Sequence, residues 1–414
     1  MFDNVLFQSA SHLLKDDIQH NTLPGSLLFS GPVSSGKLTA ALELARILGC
    51  QKNAEWTCDC PSCKKNRVLI NQNVVITGPC DRITEIKAAS ETFMNAAYNN
   101  TSHLKAARIL FIRSVRKLTS RFNPMLWEGD DKLSKFSPIL QSIEENLELI
   151  NPSRNSLPED DELNTIVEDI YTFCQKLEDS YLYDQLPVLQ IRNFSNWARL
   201  SSSNGKKVLI IENADRMAES ARNALLKILE EPPEDTEFIL TTTNRLAVLP
   251  TILSRLRNYA FFERSVQQQQ IIIDRVFHYI PKGSRGLPES IDKLLQNYLP
   301  VNPDAIHYQA QNFINEISKG ETPDCKSIST ACSNFNPRLI FRAFLEEIIK
   351  IQSPLTKTAK GAEASSKIIR ALQYAYNNVN VYNQNPVNSL EELIRNLKQI
   401  NYFDSSILKE LVNE

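Results

Sequence analysis

The stretch SLLFSGPVSSGKLTAALELARIL, Ser26–Leu48, decides the fold class. Its first five residues, Ser26 to Ser30, are an apolar run bounded by serines, the pattern of a short strand buried on both faces. From Leu38 to Leu48 apolar residues recur at helical spacing, so a strand, a loop and a helix follow one another, half of a βαβ unit. The loop between them reads G-P-V-S-S-G-K-L against the phosphate-binding pattern G-x-x-x-x-G-K-[ST]. There the glycines let backbone N–H groups turn inward around phosphate oxygens, the lysine reaches the β and γ phosphates, and the hydroxyl ligates Mg²⁺. Gly31, Gly36 and Lys37 are in place, and with only 11 glycines in 414 residues a chance pair is a poor explanation. Leu38 offers a metal no oxygen, and Thr39 lies about 100° further round the helix, so it should not substitute cleanly. The expectation is a real but weakened nucleotide site, with ATP and Mg²⁺ doubtful in it.

Outward from this stretch, Val74–Ile76, Val208–Ile211 and Glu237–Thr242 read as further strands, separated by helical patterns such as Ala218–Glu230. Such alternation predicts an α/β parallel sheet flanked by helices. The strand Val208–Ile211 ends in Glu212-Asn213. Where ATPases place an acidic pair, Glu212 is suited to hold Mg²⁺ through water, or else Glu212 and Asp215 cap the helix that follows. Asn213 cannot act as a general base, because an amide takes up no proton near neutral pH. After about residue 258 the strands are expected to stop, and Gln267–Gln270, Ile291–Tyr298, Ile306–Ile317, Pro337–Ile351, Ser365–Val379 and Ser389–Leu411 read as helices. Residues from about 99 to 186, with acidic and proline-containing patches, read as an insertion. Arg108–Leu118 faintly echoes Lys207–Met217 in its strand-then-polar pattern, and no function is read from it.

At 414 residues the chain is long enough for two or three domains. Hydrophobic residues at 42 % and charged residues at 23 % exclude a largely disordered or membrane-embedded chain. A net charge of −2 gives no global pull on nucleic acid, although Lys64–Arg67 and Arg113–Arg121 are locally basic. No basic region followed by an apolar core opens the chain and no run of about twenty apolar residues interrupts it, so a cytoplasmic location without a membrane partner is expected. Of eight cysteines, Cys50, Cys58, Cys60 and Cys63 fall together. In such a context a metal is a better reading than disulfides, and four thiolates suffice for a closed tetrahedral structural Zn²⁺ site. Only Asp59 separates Cys58 from Cys60, which leaves Cys80 open as a substitute ligand.

The run NADRMAESARNALLKILEEPPEDTEFILTTTNRLAVLPTILSR, Asn213–Arg255, resembles the clamp-loader subunits of bacterial DNA polymerase III, and so do residues 1 to 80 with their loop and cysteine cluster. The resemblance does not extend over residues 99 to 186. It implies a P-loop AAA+ module over 1–257 carrying a zinc module at 50–63, a helical lid over 258–307 and an all-helical collar over 308–414. It also implies that Thr242 or Thr243 sits at the sensor position near a γ-phosphate. Ser254-Arg255 corresponds to the family's Ser-Arg-Cys motif, with Leu256 in place of the cysteine, and Arg255 would reach a neighbouring subunit's ATP as an arginine finger. A guanidinium there stabilises the transferring phosphoryl group. Leu38 and Asn213 remove a metal ligand and a base, and no basic or proline-rich extension follows the helices, so the delta-prime type is expected. The gamma/tau ATPase motor is the alternative. The implied partners are gamma/tau and delta subunits, the sliding clamp and primed DNA. From a different class, a zinc-containing nucleic-acid-binding protein outside any ring would need a basic stripe.

Overall fold

The structure is a computed structural model and describes residues 1–200, 205–281, 286–380, 382, 384–403 and 407–411. The chain divides into two units, Met1–Leu294 and Leu295–Glu414.

In the first unit five strands form one sheet: β1 (Ser26–Ser30), β2 (Val74–Thr77), β3 (Lys207–Ile211), β4 (Thr236–Thr242) and β5 (Arg257–Ala260), in the order β2-β3-β4-β1-β5. Every pairing is parallel, and Ser30 at the end of β1 lies beside Thr242 of β4 and Ala260 of β5. Strands β1, β3 and β4 are buried at every residue, as a parallel sheet covered on both faces requires. The helices are α1 (Ala10–Gln19), α2 (Lys37–Leu48), α3 (Pro61–Arg67), α4 (Ile83–Tyr98), α5 (Leu104–Thr119), α6 (Leu133–Leu149), α7 (Asp160–Tyr181), α8 (Val188–Arg199), α9 (Glu219–Glu230), α10 (Pro250–Leu253) and α11 (Val266–Ile272). Strand residues alternate between two cores. Leu27, Phe29, Val208, Ile210 and Ile239 pack with Leu14 of α1 and Leu38 and Leu42 of α2. Leu28, Leu209, Ile211 and Leu240 pack on the other side with Phe93 of α4, Phe111 of α5, Phe136 of α6 and Ile170 of α7.

Two expectations are corrected here. Strands do not stop by residue 258, since β5 straddles the expected boundary at 257. It escaped notice because four residues with exposed Arg257 and Asn258 carry almost no apolar signal. Arg108–Leu118 is not a strand entering a helix. It lies within α5, whose Ala107, Phe111, Val115 and Leu118 are buried at helical spacing, so its likeness to β3 is one of composition. The segment 99–186 contains α5, α6 and α7, whose side chains share one core with the sheet.

Helix α12 (Ile291–Gln296) contains the division between the units, after Leu294. The second unit continues with α13 (Pro303–Ser318), α14 (Cys325–Ala331), α15 (Leu339–Gln352), α16 (Ala359–Asn380), α17 (Pro386–Phe403) and a 3₁₀ turn, Ile407–Leu411. Phe313, Ile314, Phe344, Ile348, Ile368, Leu390 and Leu397 form its core. The expected lid–collar boundary at 307 falls inside α13, a continuous helix that belongs to this unit. Among the described residues no helix is long and apolar enough to cross a membrane.

Candidate nucleotide loop and metal centre

The loop Gly31–Gly36 leaves the carboxyl end of β1, where an open parallel sheet holds its ligands. Gly36 has φ 95° and a Cβ there would stand 2.9 Å from Arg264 Nη2, while a Cβ on Gly31 would meet the Phe261 carbonyl at 2.3 Å. At Gly31 the backbone of Phe261 leaves no room for a side chain, and at Gly36 the positive φ is what favours glycine. Lys37 opens α2 and is buried; its Nζ donates to the carbonyl of Gly31 at 2.7 Å, to that of Pro32, and to Ser35 Oγ at 3.3 Å. Burial pushes its ammonium down to about 8, against the raising influence of Glu212 and Asp215. Leu38 turns into the core and Thr39 is half-buried on α2. Arg264 crosses the loop, with Nη1 donating to Ser34 O at 2.8 Å and Nε to Leu6 O at 3.0 Å. The cleft between Val33–Ser35 and Phe262–Arg264 with Gln269 leaves no interior space for even a water-sized molecule, whereas small-molecule sites enclose roughly 300–1,000 Å³.

Glu212, at the end of β3, departs from both of its expected roles. Arg82, which precedes α4, donates through Nη2 to both carboxylate oxygens at 2.6 Å, and Arg121, just beyond α5, donates to Oε2. Arg121 is 1 % exposed and also donates from Nε to Gly78 O at 3.0 Å. Burial alone would raise the Glu212 carboxyl, but the two guanidinium charges outweigh it and hold the group below its ordinary range. The expectation that Glu212 holds Mg²⁺ through water is corrected, because guanidiniums already occupy its oxygens. The capping alternative fails as well: Asp215 accepts instead from Thr242 Oγ1. The residues present do not fit a magnesium site, since Leu38 brings no oxygen and Glu212 has none free. Asn213 sits in the left-handed region at φ 49° and donates Nδ2 to Pro79 O at 2.6 Å.

Thr242 is buried at the end of β4. Its carbonyl accepts from Gly31 N at 3.2 Å and its hydroxyl oxygen from Asn244 N at 3.0 Å, which ties it to the loop. Thr243 is exposed. Lys37, Glu212 and Thr242 thus gather at the carboxyl ends of β1, β3 and β4. Arg255 does not join them. It precedes β5, which runs parallel to β1, so it stands at the opposite end of the sheet. Its Nη1 donates to Thr251 O at 2.6 Å and its Nη2 to Glu230 at 2.7 Å, with side chains 32 % and 52 % exposed.

The four clustered cysteines do converge. Cys50 follows α2, Cys60 caps α3 and Cys63 lies on it, and the four Sγ atoms are all within 4.8 Å of one another. Cys50 Sγ is 3.6 Å from that of Cys58 and 4.0 Å from that of Cys60, and all four are free thiols. A tetrahedron with Zn–S near 2.3 Å has S–S edges of about 3.8 Å, so the donor set fits zinc. Cys58 belongs to this group and Cys80 does not. Cys80 follows β2, and burial pushes its thiol up to about 11.

The basic run Arg113–Arg121 is turned inward. Arg113 Nη1 donates to the carbonyls of Asn66 and Arg67 at 3.2 and 2.8 Å, and Arg116 Nη1 to that of Val68 at 2.9 Å, capping the carboxyl end of α3. These arginines are engaged by the protein, whereas Lys64 and Lys65 are exposed. Sequence reading missed Arg82, Arg121 and Arg264, which lie outside every motif.

The family described as "DNA polymerase III, delta subunit" matches residues 7–126 and 129–265, well over half of the chain. The chain belongs to this family. The match also runs through most of the segment 99–186. Among similar proteins, "DNA polymerase III subunit gamma" of Buchnera aphidicola subsp. Schizaphis graminum is 29 % identical over 136 residues, 31 % of this chain and 37 % of that protein. "DNA polymerase III subunit delta'" of Haemophilus influenzae is 42 % identical over 67 residues, 16 % of this chain and 20 % of that protein. The delta' subunit of Bacillus subtilis is 46 % identical over 56 residues, 14 % of this chain and 17 % of that protein. The matched stretches span well under half the length of these relatives, which carry both gamma and delta' names.

Proposed function

We propose that the chain acts as a delta-prime-like subunit of the DNA polymerase III clamp loader, an AAA+ ring member that completes a neighbour's ATP site without running its own. The observation that carries this reading is the state of Glu212, whose carboxylate is closed by Arg82 and Arg121 while Arg255 remains at the surface. A surface ion pair such as Arg255–Glu230 contributes about 0–1 kcal/mol, so the guanidinium can exchange Glu230 for an incoming phosphate at little cost. Standing at the far end of the sheet from Lys37, it serves another chain's nucleotide rather than its own. In this scheme the first unit supplies fixed geometry, the second packs against equivalent helices of gamma/tau and delta subunits, and the assembly places a sliding clamp on primed DNA in the cytoplasm. The Cys50, Cys58, Cys60 and Cys63 group holds a structural Zn²⁺, with no open position for catalysis.

The gamma-named relatives favour the ATPase-motor reading, and Leu38 and the closed Glu212 oppose it. The deciding experiment is steady-state ATPase of the purified chain with Mg²⁺. No turnover is expected, and turnover that disappears in Lys37→Ala would replace this reading with the motor one.

A further inference from the structure

Helix α2 joins the two sites, opening on Lys37 and ending beside Cys50. In its last turn stands Arg46, whose side chain is 3 % exposed and makes five hydrogen bonds. Two go back to Glu43, one turn earlier: Nε to Oε2 at 3.0 Å and Nη2 to Oε1 at 2.7 Å. This bidentate grip, itself buried, fixes the guanidinium plane. The other three cross to the cysteine-bearing segment: Nη1 donates to Cys63 Sγ at 3.1 Å and to Glu55 O at 3.1 Å, and Nη2 to Ala54 O at 2.9 Å.

Four thiolates around a divalent cation carry two excess negative charges, concentrated on sulfur. A hydrogen-bond donor held against one of those sulfurs takes up part of that charge and fixes the direction of its lone pairs, and such outer partners commonly govern metal affinity. We propose that Arg46 is a positioning residue of the metal centre: it orients the Cys63 thiolate and closes the segment 50–63 onto the helix that begins at the phosphate loop. The inference rests on the reading of the cysteine cluster as a zinc site. Arg46 touches no metal. Its effect runs through Cys63 Sγ and the two loop carbonyls.

The test is titration of metal-free full-length protein with Co²⁺, followed by Zn²⁺ competition against a chromophoric chelator, with circular dichroism to check folding. The variants are Arg46→Lys, which keeps the charge but lacks the planar fork, and Glu43→Gln/Arg46→Met, which removes both charges so that neither is left buried alone. Both are expected to bind Zn²⁺ roughly 10–100-fold more weakly than wild type, with a changed thiolate-to-cobalt absorption. A role confined to core packing would lower the melting temperature and leave the cobalt spectrum and affinity as they are, so wild-type affinity in either folded variant overturns the proposal. If wild type itself takes up no Co²⁺ or Zn²⁺, the zinc reading fails first and takes the role of Arg46 with it.

Discussion

The two ends of α2 carry two sites in opposite conditions. At its carboxyl end four sulfurs converge within 4.8 Å of one another, and they accept hydrogen bonds from Arg46 and from the backbone N–H groups of Lys52 and Cys63. At its amino end the side chains that would meet phosphate and Mg²⁺ are engaged by the protein itself. Lys37 donates to loop carbonyls, Arg264 lies across the loop, and Glu212 is closed by Arg82 and Arg121. Both sites have the right residues at recognisable spacing. What separates them is whether the ligand atoms are available, and that depends on residues far away in sequence.

The contrast can be broken most forcefully at the cysteine end. Metal analysis of the native protein should return about one Zn²⁺ per chain, and Cys60→Ser should lose it and destabilise the first unit by on the order of 5 kcal/mol or more in denaturant unfolding. A metal-free protein of unchanged stability would remove the difference between the two ends. Next comes Arg121→Met. Taking one guanidinium from a buried pair leaves Glu212 under-compensated, at a cost of roughly 3–5 kcal/mol. Should that variant instead keep its stability and gain Mg²⁺-dependent nucleotide binding, the closed carboxylate would be an inhibited ligand rather than a structural one.

A second buried glutamate sharpens the point about pairing. Among the described residues, Glu237 of β4 has only Lys206 as a side-chain partner, its Nζ 3.4 Å from Oε2, and its Oε1 has none. Burial, against the weaker opposing effect of Lys206, raises its carboxyl to about 7. Because the folded value lies above the unfolded one, its contribution is present below about pH 4.5 and is lost as pH rises through 7. Glu237→Gln should therefore stabilise the protein by on the order of 1–3 kcal/mol at pH 8 and do little near pH 4. Glu212, whose value is lowered, runs the other way, contributing at neutral pH and losing its contribution as pH falls. A flat pH response for Glu237→Gln would contradict this pairing argument. The smallest effect belongs to Arg255→Ala, which should change the stability of the isolated chain by less than about 1 kcal/mol.

The loop, the strands around it and the cysteine cluster were legible because their signals are local. Glycine spacing, short apolar runs and clustered thiols need no tertiary contact to be read. Arg82 and Arg121 were not, since they reach Glu212 across 130 and 91 residues of sequence and belong to no motif. Arg82 carried no sequence signal, and that of Arg121 was a basic run, Arg113–Arg121, which is turned inward. Strand β5 was hidden by its polar edge, and α5 by a window too narrow to show helical spacing around Leu110–Ile112.

The central claim is that this chain contributes an arginine to a neighbour's nucleotide while its own loop stays idle. DNA-stimulated ATP hydrolysis should be measured in a reconstituted loader carrying wild type, Lys37→Ala or Arg255→Ala. The account predicts wild-type hydrolysis with Lys37→Ala and, with Arg255→Ala, a loss approaching 10³-fold at the site it completes. Hydrolysis that collapses with Lys37→Ala and survives Arg255→Ala would contradict it.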